Sequence, residues 1–133
     1  MCKCSGKCGC NITSTTKGEK GDASPVSNLG YKVYSALISQ SGTSIPTANV
    51  FQNTLGATIS FTRSAIGVYV ATFSSDPTTD SAKILVVVSA NSLGVLTQTA
   101  KTTSTVGFRS YNYSAALSDD ILANNFLEIR VYP

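Results

Sequence analysis

From Tyr31 to Tyr132 the chain alternates between short apolar and polar steps, broken by clusters of Gly, Asn, Asp, Pro and Ser. Val, Ile, Thr, Tyr and Phe fill the segments between those clusters, and that is the composition of strands. The pattern predicts eight strands, near 31–39, 48–51, 58–64, 67–74, 82–89, 95–99, 105–113 and 126–132. Turn signals fall between them: Ser41-Gly42-Thr43-Ser44, Leu55-Gly56, Ile66-Gly67, Asp76-Pro77 and Ala90-Asn91-Ser92. These residue types accept the backbone angles that tight turns demand. Residues 115–125 read as a loop or a single helical turn. Many short strands at this spacing predict an all-β fold, an antiparallel β-sandwich or jelly roll.

The strands differ in how they alternate. Leu127, Ile129 and Val131 share one face, with Glu128, Arg130 and Tyr132 on the other, the signature of a half-buried strand. Around residues 67–73, Val68 and Val70 lie opposite Tyr69, Ala71 and Phe73; around 31–38, Tyr31, Val33 and Leu37 lie opposite Tyr34 and Ile38. Strands that are apolar on both faces need cover on both. A sandwich supplies one inner face per sheet, so a neighbouring subunit is the simplest source of the rest.

The opening of the chain is different in kind. Residues 1–27 contain little that is apolar beyond Ile12, Ala23 and Val26, and read as a tail or linker ahead of a head domain at 28–133. All four cysteines of the protein sit there, as Cys2, Cys4, Cys8 and Cys10. Three fates are open to them. They can stay reduced, bind a soft metal such as zinc, or form disulfides. A C-x-C bridge within one chain is strained, whereas identical chains side by side can pair the same residues between them. Lys17-Gly18-Glu19-Lys20-Gly21-Asp22 follows. Gly18 and Gly21 match the every-third-residue glycine of a collagen triple helix, and the same spacing also suits a flexible linker. A three-chain stalk gains force if the flanking parts are trimeric.

Charge and chemistry exclude several classes. The formal net charge is +3, and Lys32, Arg63, Lys83, Lys101, Arg109 and Arg130 are scattered singly rather than gathered into a basic face, so no nucleic-acid partner is expected. The longest apolar run, Ile84-Leu85-Val86-Val87-Val88, is strand-sized, so no membrane insertion is expected. No apolar signal region opens the chain, so release by lysis or a specialised exporter is expected. Histidine is absent, which removes His-based nucleophilic triads and His-ligated metals. No phosphate-binding glycine loop occurs. The head's carboxylates are Asp76, Asp80, Asp119, Asp120 and Glu128, and nothing groups two of them with an aromatic sugar cleft. No enzymatic activity is expected. Asp76-Pro77-Thr78-Thr79-Asp80 has oxygen ligands for calcium, but its Asp and Pro composition reads first as a turn.

Several stretches resemble a small β-domain of virion fibre and appendage proteins from tailed phages of Bacteroidetes, crAss-like phages included. The matching elements are Tyr31-Lys32-Val33-Tyr34, Val50-Phe51-Gln52-Asn53-Thr54-Leu55-Gly56, Phe61-Thr62-Arg63, Gly67-Val68-Tyr69 and the closing Glu128-Ile129-Arg130-Val131-Tyr132. The likeness covers residues 31–73 and the last eight or so; residues 74–123 and the cysteine pattern have no counterpart in it. It implies a homotrimeric fibre subunit in the virion, assembled in the host cytoplasm, with its tail on the capsid or another virion protein and its head outward. The resulting expectation is a structural virion protein, a trimeric head fibre or capsid decoration, with host glycans as a further partner. The rival is a bacterial extracellular filament or adhesin subunit cross-linked through its N-terminal cysteines. A fibre closes as a trimer, whereas a filament subunit makes open-ended contacts.

Overall fold

The computed structural model describes residues 30–133. Eight strands follow in order: β1 Lys32–Ser39, β2 Thr47–Asn53, β3 Ile59–Ala65, β4 Val68–Phe73, β5 Ile84–Val88, β6 Gly94–Lys101, β7 Thr105–Asn112 and β8 Asn125–Val131. They form two four-stranded sheets, ordered β2-β1-β8-β5 and β3-β4-β7-β6, antiparallel throughout. All eight expected strands are present. In a jelly roll the second strand pairs with the seventh and the third with the sixth. Here β2 pairs only with β1 and β3 only with β4, so of the two expected architectures the sandwich is the one formed. Residues 115–124 form a loop, without a helical turn, and Asn125 opens β8.

The core lies between the sheets. Tyr34, Ala36 and Ile38 of β1 and Leu127, Ile129 and Val131 of β8 face Tyr69, Ala71 and Phe73 of β4 and Val106 and Phe108 of β7 in one buried cluster. Period-two alternation puts each of these sets on a single face, and burying a side chain of this size contributes about 1.5–3 kcal/mol. The outward residues of β1 and β4 behave differently from a bare second face. Val33 is buried, and Leu37, Val68 and Val70 are half-buried. Both strands are central in their sheets, so side chains of the flanking strands crowd over them. The uncovered apolar surface therefore lies elsewhere.

The sandwich has two unlike flanks. On one, β5 and β6 come together, with the Lys101 ammonium of β6 donating to the Ile84 carbonyl of β5. On the other, β2 and β3 stand apart. A groove of about 480 Å3 opens between them, lined by Tyr34, Ile45, Val50, Ile59 and Phe61 among others. Within β2, Gln52 pairs with Ser35 and Val50 with Ala36. Phe51 is thus the extra residue of a β-bulge, and it stands 60% exposed.

Candidate functional site: the two ends of the sandwich

Residue pairing separates the ends of the domain. At one end, the base, Lys32 pairs with Val131 and Ile84 pairs with the same residue. Gly30, where residues 1–29 join, lies here beside Pro133, in a shallow groove of about 530 Å3 shared with Tyr31, Lys32, Thr78 and Tyr132. The Tyr31 and Tyr132 rings sit 5.3 Å apart, and the Arg130 guanidinium lies 5.0 Å from the Tyr31 ring centre, close enough for a cation–π contact. Glu128 holds Arg130 from the next outward position of β8. These contacts fix the point at which the preceding chain enters.

At the other end, the tip, four loops converge: residues 40–46, 66–67, 89–93 and 113–124. A polar network joins them. Arg63 makes a two-pronged bond to Asp119, Nε to Oδ1 at 3.1 Å and Nη2 to Oδ2 at 2.7 Å. The Gly67 N–H donates to the same carboxylate at 3.0 Å, and the Tyr69 hydroxyl does so at 3.0 Å. The adjacent Asp120 N–H donates to Gln40 Oε1 at 2.9 Å, and the Gln40 N–H donates to Leu122 O at 2.8 Å. A second cluster sits behind it: fully buried Asn125 donates to Ser89 O and accepts from Asn91 Nδ2 and the Ala123 N–H. Among the described residues no buried side-chain nitrogen or oxygen lacks a partner. These are bonds of construction, which hold irregular loops in one shape.

The network sets two acid constants. The Arg63 guanidinium, helped by the Gly67 N–H and the Tyr69 hydroxyl, outweighs burial and holds Asp119 down to about 2, from an ordinary 3.8. Burial, and next to it the neighbouring Asp119, push the Tyr69 hydroxyl up to about 12. A carboxylate whose constant falls on folding stabilises the fold above its unfolded value and loses that contribution as pH drops through its folded value. The domain is accordingly expected to weaken between about pH 4 and pH 2. Urea titrations at pH 5 and pH 2.5 check this: Asp119→Asn should flatten the acid dependence, and an equal slope in both proteins would contradict the assignment.

Around this framework the tip displays apolar side chains. Ile45, Ile66, Leu93, Tyr113 and Leu117 are all exposed, and Tyr113 most of all, at 73%. Its hydroxyl donates to Asn91 O at 3.0 Å. Ser41, Thr43, Ser44, Ser92 and Ser114 surround them. Tyr, Ser, Asn and Gly on rigidly held loops make an adaptable contact surface at low entropic cost.

The residues singled out from sequence fall as follows. Cys2, Cys4, Cys8, Cys10, Gly18 and Gly21 lie outside the described residues, as do the metal, disulfide and stalk readings attached to them. Asp76 accepts from the Thr103 hydroxyl at 2.9 Å, and Asp80 caps the short 3-10 turn Ser81–Lys83 through the Ala82 N–H. That segment is built as a turn, and among the described residues no three acidic or cysteine side chains gather as metal ligands. The Arg63–Asp119 clasp was not foreseen. Its only sequence signal is the Phe61-Thr62-Arg63 strand, where a lone cation needs a partner.

No family model matches the chain, no curated protein matches it, and no solved structure matches its fold. Among the described residues, no helix is long and apolar enough to cross a membrane.

Proposed function

We propose that the protein is a structural virion component, the β-head of a trimeric head fibre or capsid decoration, held to the particle by its N-terminal segment. The observation that carries this reading is the polarity of the domain. The preceding residues join at the base, at Gly30, while Tyr113, the most exposed of the large apolar side chains, stands with Ile45, Ile66, Leu93 and Leu117 on the braced loops of the opposite end. A head presented on a tail has this layout: an attachment end and a contact end. Cys2, Cys4, Cys8 and Cys10 clamp the copies through zinc or interchain disulfides, and Gly18 and Gly21 belong to the stalk. The tip touches host glycans weakly. Three linked copies turn weak contacts into useful adhesion, since the second and third events occur at high effective concentration. The near absence of charge at the tip fits a neutral ligand better than a polyanion.

Electron microscopy of the full-length protein tests this reading. Discrete stalked particles of one size, unchanged as concentration rises, are expected. Filaments that lengthen with concentration would put the bacterial extracellular filament in its place. Retention on immobilised mucin tests the contact end: Tyr113→Ser, at an exposed position, should weaken it several-fold without changing thermal stability by more than about 0.5 kcal/mol.

A further inference from the structure

The groove between β2 and β3 holds an unanswered hydrogen-bonding group. Tyr34 is 2% exposed, yet among the described residues no group bonds to its hydroxyl. Burial alone pushes that hydroxyl's acid constant up, with no hydrogen bond contributing. Other tyrosines are answered: the Tyr69 hydroxyl donates to Gln40 and Asp119, and that of Tyr113 to Asn91 O. No fully enclosed side-chain oxygen among the described residues lacks a partner, so the Tyr34 hydroxyl opens into the groove that Tyr34 lines. A buried phenol left unbonded in a cleft gains from a ligand that accepts its proton. The β5 edge also exposes Leu85 and Val87, but there Lys101 bonds across to Ile84 O. The recessed hydroxyl, and not a free strand edge, singles out the β2–β3 cleft.

The walls define the ligand. Ile45, Pro46, Val50, Ile59 and Phe61 supply apolar surface, and no charged residue lines the cleft. A carboxylate or ammonium would enter without a counter-charge, which is unfavourable. The Asn53 amide at the far end is already engaged, to Ala57 O and from the Leu55 N–H, so Tyr34 is left to orient the ligand. The volume of about 480 Å3 is that of a small-molecule site. The lining runs from Ile45 to Asn53, the whole seven-residue length of β2, about 20 Å of strand. That shape suits a chain better than a ring. The floor is recessed, with Phe61 9% exposed, so a molecule reaches Tyr34 singly, whereas a membrane surface would meet only the rim.

We propose that the β2–β3 cleft binds one uncharged acyl chain, its ester or amide oxygen accepting from the Tyr34 hydroxyl. The site is independent of the virion reading, which stands or falls separately. The test is amide NMR of the full-length protein, titrated with monodecanoylglycerol below its micelle concentration. Saturable shifts confined to β2, β3 and the neighbouring part of β1 are expected. Tyr34→Phe removes an oxygen that no protein group uses, so it should leave the melting temperature unchanged and weaken binding about fivefold. Ala48→Phe, at an exposed position within the cleft, should abolish binding. Decanoate, which carries a carboxylate, should bind about tenfold more weakly than the ester. Absence of saturable shifts, equal affinity in Tyr34→Phe and wild type, or binding to neutral phospholipid vesicles without binding to the single molecule would each overturn the proposal.

Discussion

Replacing Gly67 with alanine should cost the domain about 3 kcal/mol. Gly67 holds φ +61 in the β3–β4 turn, a region that costs a residue with a Cβ about 1–2 kcal/mol. The added Cβ would also lie 2.7 Å from Ser110 O and 2.8 Å from Ser118 N. Those are backbone atoms, with no flexible end to yield, and crowding of this kind costs about 1–3 kcal/mol. The same residue donates its N–H to Asp119 and accepts from the Ser110 N–H at 2.9 Å. A displaced turn therefore loosens the 113–124 loop as well as the hairpin. For a domain of this size the melting temperature should fall by about 15 °C. Thermal unfolding followed by circular dichroism reads this directly, and a fall of less than about 3 °C would mean the turn has room to spare.

Asp119→Ala should cost about 2–3 kcal/mol. Deleting the carboxylate leaves the Arg63 guanidinium, only 17% exposed, without its acceptor and strands the Gly67 N–H, while the Tyr69 hydroxyl keeps Gln40 Oε1 at 3.2 Å. Losing one partner of a shielded pair is more damaging than losing both. Arg63→Met in the Asp119→Ala background should thus recover about half of the loss, because it removes the orphaned charge and keeps the aliphatic volume. Urea unfolding with unchanged slope measures both effects. A cost below about 0.5 kcal/mol for Asp119→Ala would reduce the clasp to an ordinary surface ion pair.

These two sites also mark the border of what the sequence made legible. The eight strands were readable because alternation and turn residues are local signals. Bounds differ by a residue or two, as with β2, which extends to Thr47 and Asn53 beyond the expected 48–51. Strand order was not readable. Nothing in Thr47-Ala48-Asn49-Val50-Phe51-Gln52-Asn53 says that this strand is an edge with an open groove beside it, since that depends on which distant segment declines to pair with it. The two apolar faces around 31–38 and 67–73 were readable as a demand for cover on both sides; that both strands are central in their sheets was not. The Arg63–Asp119 pair spans 56 residues, and long-range polar pairing leaves no periodic trace. In the 113–124 loop, Asp120 and Asn124 take left-handed angles that suit their types, whereas Ala115 does so at φ 58 with no sequence signal.

The central claim is the closed trimer proposed above, the form in which weak contacts at the tip add up. Sedimentation equilibrium of the full-length protein tests it most directly. The account predicts a single closed species at three times the 13.9 kDa chain mass, unchanged as concentration rises. A species of one chain mass at every concentration measured would contradict it.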